Sequence, residues 1–464
     1  MNGIVVVMGI TGDLSRKKIV PALYKLISKE KIDNLKIIGM GRKKLTEDEI
    51  IKTSKEFINS FDKKYFNKLK NNFTYVRGDF YKKKTFENLK NTIKKQEEKF
   101  DSGNRLFYLA TLPRHFETIV DSLKEFGMVE EGKKGWRRVV FEKPFGYDLK
   151  SAKKLNKVIS DVFDEKQVFR IDHYLGKELV QNVSVLRFTN TIMEALWNKN
   201  YIDHFQIILS ESEGVKGRGE FYDRQGALKD VVQNHMMQIL ALVAMEPPLK
   251  LTGKYIRDEK SKVLKRTRVE NVVLGQYKGY KDVGGVSDDS DTETFASLKV
   301  FVDNKRWDGV PFYFITGKKM KKKLTTIYIE FKESHFPVFG NSGGFLPNYL
   351  KIQIQPNAGF FVQVNAKVPG KNKSSPVSLD FCHPCFFGLN TPKAYENLFL
   401  DVFKDDRSSF VRSDEIEDAW RIIDNIEKDK PRPFSYENGS YPKEADEMIE
   451  KDEKSWKMEV EKNV

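Results

Sequence analysis

The chain has 464 residues, 39% of them hydrophobic and 12% aromatic, and its 81 basic against 66 acidic side chains give a net charge of +15. That length exceeds one ordinary domain and predicts two, while no apolar run reaches the ~18 residues that a membrane span needs. Two cysteines cannot build a disulfide framework, and lysines spread along the whole chain without a nucleic-acid motif argue for a solvated surface with an anion-seeking cleft rather than for duplex binding.

The first third alternates short apolar runs with amphipathic stretches. Strands are expected at Ile4–Met8, Leu35–Ile38, Phe73–Val76, Leu106–Ala110 and Val139–Phe141. Helices are expected between them at Ser15–Ser28, Thr46–Ser60, Lys84–Gln96 and His115–Phe126, and after them at Leu149–Ser160. Strands alternating with helices predict a Rossmann-type, doubly wound parallel sheet. The chain enters its first strand at once, with no basic region before a small-residue cleavage site, so no signal peptide and a cytoplasmic location are expected.

The first strand runs into Gly9-Ile10-Thr11-Gly12-Asp13-Leu14. Gly9 and Gly12 allow a sharp turn and close approach of the backbone to a diphosphate, and the following helix offers its free amides to that charge. The spacing is G-x-x-G, not the full G-x-G-x-x-G, so the context carries the dinucleotide reading. After the second strand comes Gly41-Arg42-Lys43-Lys44. An acid there would hold a ribose 2′-hydroxyl, whereas a guanidinium suits a 2′-phosphate, which favours NADP over NAD.

Beyond about residue 175 the rhythm changes. A long helix is expected over Gly226–Met245, ended by Pro247-Pro248. Strands follow at Thr294–Val302, Val310–Ile315, Thr325–Phe331, Leu350–Gln355 and Phe360–Ala366, then helices at Ala394–Phe403 and Glu415–Glu427. This predicts an α+β domain around a larger, mostly antiparallel sheet, with the division at 1–172 and 173–464. The polar stretch from about Tyr436 is expected to fray. Cys382-His383-Pro384-Cys385 has C-x-x-C spacing but no second pair for zinc and no thioredoxin-like setting, so no metal site and no functional thiol pair are expected.

Arg170-Ile171-Asp172-His173-Tyr174-Leu175-Gly176-Lys177-Glu178 packs an acid, an imidazole, a phenol and an ammonium into one short span. With it stand Gly9-x-x-Gly12-Asp13-Leu14, Glu142-Lys143-Pro144-Phe145-Gly146, Asp230-Val-Val-Gln-Asn-His235 and Arg306-Trp307-Asp308-Gly309-Val310-Pro311. In their order along the chain the five blocks resemble the glucose-6-phosphate dehydrogenase family, from the first strand to about Ala445. The resemblance implies NADP-dependent oxidation of D-glucose 6-phosphate to 6-phospho-D-glucono-1,5-lactone, the first oxidative step of the pentose phosphate pathway. It also implies association through the large-domain sheet into a homodimer or homotetramer.

Oxidising a cyclic hemiacetal requires a base near neutral pKa to take the anomeric proton as hydride leaves, which suits histidine. By resemblance that base is His235, Asp172 is its carboxylate partner, and Lys177 belongs to the catalytic group. His173, Tyr174 and Lys177 take the substrate phosphate. Lys143 contacts sugar and cofactor, Glu211 and Asp230 hold sugar hydroxyls, and Lys318 reaches the substrate from the second domain. Lys323 and Gln355 transfer more loosely. Gly9, Thr11, Gly12, Asp13, Leu14 and Arg42 carry over as cofactor contacts, and Lys18 as a lysine near substrate.

Some departures matter. A family tyrosine near the nicotinamide is Phe116 here. Some members hold a second, structural NADP in the large domain; the matching positions include Gln353, Phe361 and Gln363, so no such site is expected. The competing reading is a non-catalytic NADP-binding or scaffold protein that kept the fold, against which intact Asp172, His173, Lys177 and His235 argue. A nearer alternative is broader sugar specificity, with galactose 6-phosphate accepted beside glucose 6-phosphate.

Overall fold

A computed structural model describes residues 2–32, 34–98, 103–131, 135–334, 346–388 and 393–461. Among these residues the strands are β1 (Asn2–Met8), β2 (Asn34–Gly41), β3 (Phe73–Arg77), β4 (Arg105–Leu109), β5 (Arg137–Phe141), β6 (Val168–Ile171), β7 (Ile202–Ser210), β8 (Thr267–Tyr277), β9 (Phe295–Val302), β10 (Phe312–Gly317), β11 (Leu324–Phe331), β12 (Tyr349–Gln355), β13 (Gly359–Lys367), β14 (Ser374–Cys382), β15 (Phe410–Val411) and β16 (Phe434–Tyr436). They fall into two sheets, one in each of two compact units.

Unit one comprises 1–176, 252–257 and 392–417. Its sheet has the order β15-β6-β5-β4-β1-β2-β3. All neighbours are parallel except β15, which runs antiparallel to β6. The strand order reverses between β1 and β4, so the crevice at the carboxyl ends of these strands is the natural ligand site of such a sheet. Val5, Val7, Leu106, Tyr108 and Val140 are buried with Leu23, Leu26 and Ile27 of helix Val20–Ser28. Leu398, Phe399, Val402 and Phe403 of helix Ala394–Lys404 join the same core.

Two expected helices of this unit are subdivided. Residues 15–28 begin as a wide π turn, Ser15–Ile19, before the α-helix. The helix expected over Thr46–Ser60 stops at Lys52, with a short 3₁₀ turn at Lys55–Phe57. Thr53 turns its hydroxyl back onto the Ile50 carbonyl at 2.7 Å, the local bonding by which such residues compete with a helix.

Unit two comprises 177–251, 258–391 and 418–464. Its sheet has the order β14-β13-β12-β11-β7-β10-β9-β8-β16. Antiparallel pairs dominate, and β7–β10 and β8–β16 are the parallel ones. β14 was not anticipated from the sequence. It is a mostly exposed edge strand carrying Pro376, which edge positions tolerate.

The expected division at 172/173 thus falls close to the first crossover between units, at 176/177. It omits two later segments that return to unit one, 252–257 and 392–417. Nothing in their own composition marks them as belonging to the N-terminal sheet.

The stretch from Tyr436 is built into unit two instead of fraying. It holds β16 and helix Glu444–Glu450, and buried Trp456 donates its indole N–H to the Ala445 carbonyl at 3.0 Å. Lys351 Nζ, in a nearly fully buried side chain, donates to the Glu459 carbonyl at 2.6 Å and to Glu461 Oε1 at 3.1 Å. Gln353 and Glu461 bond reciprocally, Gln353 Nε2 to the Glu461 carbonyl and the Glu461 N–H to Gln353 Oε1. Buried polar groups on this sheet need partners, and the tail backbone supplies them. No helix among the described residues is long and apolar enough to cross a membrane.

Candidate active site

In unit one the loop after β1 sits at the reversal of strand order. Gly9 has φ +95°, and a Cβ there would lie 2.3 Å from the Ala110 carbonyl oxygen, so the backbone comes closer than any side chain allows. The Gly12 N–H donates to the Gly9 carbonyl at 3.0 Å, closing the turn, and the Ser15 hydroxyl donates to the same oxygen at 3.0 Å. Gly12 and Asp13 are exposed, Thr11 and Leu14 half-buried, and Asp13 pairs with Arg16 at 3.3 Å and Lys17 at 3.2 Å. Lys18 is exposed on the turn that follows. The narrow glycine turn opening into a helix fits a dinucleotide phosphate.

Arg42 is exposed just beyond β2, and its carbonyl accepts from Arg77 Nε at 3.3 Å. Nearby His115 is held below its ordinary pKa by burial first, then by the Arg114 and Arg42 charges. This concentration of positive charge suits an added phosphate. Phe116 is fully buried and packs edge-on against Phe141, with centroids 5.2 Å apart. It is a core residue, which accounts for the missing hydroxyl.

The Asp172 segment follows β6. Asp172 is buried, and its Oδ1 accepts the Tyr174 N–H at 2.9 Å while its carbonyl accepts the Leu175 N–H at 3.0 Å. This Asx-type turn brings His173 and Tyr174 side by side, half-buried, with ring centroids 4.9 Å apart. Arg170, at the head of the same segment, pairs with Glu165 at 2.9 Å inside the unit and is structural. Lys143 is half-buried beyond β5, and the Lys143–Pro144 bond is cis.

Unit two assembles a polar cluster from strand ends. In the parallel pair β7–β10, Ser210 is opposite Gly317, so the next residues, Glu211 and Lys318, stand side by side. Lys318 Nζ lies 3.0 Å from Glu211 Oε2 and 3.9 Å from Asp230 Oδ2, and 5.0 Å from the centre of the Tyr222 ring. Leu324 of β11 also pairs with Ser210, which brings exposed Lys323 to the same end of β7. Asp230 and His235 share the π turns Leu228–Met236, which continue as α-helix Met237–Ala244. Such wide turns recur at functional sites. His235 is buried.

Lys177 caps helix Glu178–Phe188 and donates to Gln355 Oε1 at 3.3 Å. Gln355 in turn donates from Nε2 to Thr325 Oγ1 at 2.9 Å, which fixes the direction of its carbonyl. The structure therefore joins Lys177 to Gln355, and Lys318 to Glu211 and Asp230, each within one unit.

Sequence reasoning missed three parts of this chemistry. Fully buried Glu293 accepts the Leu228 N–H at 3.0 Å and pairs with Lys430 at 2.8 Å, anchoring the start of the helix that bears Asp230 and His235. A Cβ at Gly226 would lie 2.2 Å from Glu293 Oε1, so only a glycine fits before that helix. Glu142, quoted only as the neighbour of Lys143, accepts two phenol hydrogen bonds. Cys382 and Cys385, for which no functional pairing was expected, are joined by a disulfide.

Two family models match the chain: "Glucose-6-phosphate dehydrogenase, NAD binding domain" over residues 6–182 and "Glucose-6-phosphate dehydrogenase, C-terminal domain" over residues 184–457. The chain is 40% identical to the glucose-6-phosphate 1-dehydrogenase of Bacillus subtilis, covering 98% of each protein. It is 41% identical to the enzyme of that name from Borreliella burgdorferi, covering 97% of each. A solved structure of a glucose-6-phosphate dehydrogenase in complex with its substrate glucose 6-phosphate is similar with a TM-score of 0.89 and 35% identity, over 95% of both chains.

Proposed function

The chain belongs to the glucose-6-phosphate dehydrogenase family, and from that premise we propose which of its residues run the reaction. It oxidises D-glucose 6-phosphate to 6-phospho-D-glucono-1,5-lactone, the first oxidative step of the pentose phosphate pathway. A nicotinamide dinucleotide, when bound, accepts hydride from C1 of the sugar.

We assign the cofactor turn to Gly9, Thr11, Gly12, Asp13 and Leu14, and Lys143 to cofactor and sugar together. Arg42 confers a preference for NADP, as an exposed guanidinium just beyond β2 whose chemistry suits a 2′-phosphate. His235 takes the proton of the anomeric hydroxyl, and Asp172 is its partner carboxylate on the family resemblance. His173, Tyr174 and Lys177 receive the substrate phosphate, with Gln355 orienting Lys177. Glu211 and Asp230 accept from sugar hydroxyls, with Lys318 between them, and Lys323 adds charge at the same strand end.

The single observation that carries this reading is the cluster of Lys318, Glu211 and Asp230 at the ends of parallel strands β7 and β10. A lysine bonded to one carboxylate and paired with a second supplies both donors and acceptors to a polyhydroxylated ring. We also infer a cytoplasmic homodimer or homotetramer, consistent with β14, an edge strand that exposes Val377 and Leu379. The direct test is absorbance at 340 nm with purified protein, glucose 6-phosphate and either NADP or NAD. Growth with NADP confirms the activity and the preference; no growth with either, from a folded protein, sinks the reading.

A further inference from the structure

Glu142 is an ionisable side chain in the interior of unit one to which the roles above give no task. It directly follows β5, whose Val139, Val140 and Phe141 are all buried. Tyr108 of β4 donates to Glu142 Oε1 at 2.5 Å, and Tyr395 of helix Ala394–Lys404 donates to the same oxygen at 3.1 Å. β4 and β5 are neighbours in register, Leu109 opposite Phe141, whereas Tyr395 arrives on the segment that returns late in the chain. One carboxylate oxygen is therefore gripped from two sides by elements far apart in sequence.

Such a carboxylate is costly to keep in a sheet interior, where an apolar residue would pack without penalty. Burial pushes the Glu142 carboxyl up, and the Tyr108 and Tyr395 bonds and the Lys143 charge oppose that push. Both phenols are themselves driven above their ordinary range, by burial first and then by the Glu142 charge. Neutral donors converging on one oxygen fit an anion, since bonds to an ionised acceptor are the stronger ones. Asp172 also lies within range of this charge and adds to the upward push.

The residue that leaves the gripped position is Lys143. We propose that Glu142 is a positioning residue for the dehydrogenase reaction: clamped by Tyr108 and Tyr395, it fixes where Lys143 presents its ammonium. The proposal rests on the assignment of Lys143 to sugar and cofactor. Glu142 touches neither; it acts through its neighbour, and the groups facing it are Tyr108, Tyr395, Lys143 and Asp172.

The test is a double-mutant cycle with Glu142→Gln, Lys143→Ala and the pair, reading kcat/KM for glucose 6-phosphate. Glu142→Gln should lower kcat/KM about 10- to 100-fold, the range for bonds to charged groups. In the Lys143→Ala background the same change should cost almost nothing further. Losses that multiply in the double variant would overturn the proposal. A silent Lys143→Ala would instead remove the role of Lys143 and the proposal with it. Should Glu142→Gln fail to fold, Tyr108→Phe and Tyr395→Phe each withdraw one donor. Their losses should appear with Lys143 and vanish without it; losses independent of Lys143 refute the clamp.

Discussion

Lys318 and Glu211 are joined at 3.0 Å because the strands that carry them end together: Ser210 of β7 lies opposite Gly317 of β10, and each strand's next residue belongs to the pair. Two parallel neighbours present their carboxyl ends on one edge of the sheet. The pairing of Lys318 with Glu211 is thereby a property of strand register, not of a loop.

Lys318→Met keeps the stem and removes the charge, leaving Glu211 and Asp230 to repel each other. KM for glucose 6-phosphate should rise about 10- to 100-fold, the scale of a lost charge-assisted bond, with a smaller change in kcat. Steady-state kinetics decide it, and an unchanged KM would remove Lys318 from the sugar site.

His235→Asn should lower kcat by about 10²- to 10⁴-fold, as loss of a general base does. Affinity for glucose 6-phosphate, measured by calorimetry, should stay within a few-fold. A variant that still turns over at the parent rate would exclude this histidine as the base.

Lys177→Ala and His173→Asn should weaken glucose 6-phosphate selectively, leaving unphosphorylated glucose much less affected. Gln355→Ala should have a milder effect of the same kind, since it frees Lys177 without removing its charge. Comparing kcat/KM for the two sugars checks this; parallel losses on both would contradict the phosphate assignment.

Arg42→Ala should depress kcat/KM for NADP while sparing NAD. A bidentate pair with a phosphate is among the stronger hydrogen-bonded contacts, so a shift of about tenfold or more in the ratio is expected. A constant ratio would mean that the basic loop is only solvated surface.

Asp203 offers a test of stability. Burial pushes its carboxyl up, but bonds from His204 at 2.8 Å and Lys454 at 2.7 Å prevail and hold it at about 2, against 3.8 for the free group. Because the folded value is the lower one, the contribution is full above pH 3.8 and disappears as pH falls towards 2. Its size is about 2 kcal/mol by linkage. Lys454→Met should therefore show a larger deficit in urea unfolding near neutral pH than in acid. An equal deficit at both would remove the ion pair as its cause.

Much of unit one was legible because its signals are local. Buried runs such as Ile4–Met8 and the glycine turn at Gly9 declare a strand and its sharp end within a few residues. The nonapeptide around Asp172 likewise concentrates its chemistry in one turn. Unit two hid its site in register: nothing near Glu211 announces that β10, a hundred residues on, will lie parallel to β7. Tyr395 and β15 were unreadable as parts of unit one for the same reason. The tail misled by composition, since Glu459 and Glu461 look solvent-seeking, yet one backbone carbonyl from each satisfies Lys351 or Gln353.

The late return of 392–417 to unit one has a further consequence. Phe410 stacks edge-on against Phe169, centroids 4.9 Å apart, while β15 covers the open edge of β6. Arg138 finds its carbonyl acceptors at Val402 and Phe403, and Glu142 its second phenol at Tyr395. On the ribosome, then, the nucleotide-binding sheet emerges first and is finished almost last. For most of its synthesis the nascent chain carries an uncapped strand edge and a guanidinium without its acceptors, a period in which chaperones would find it.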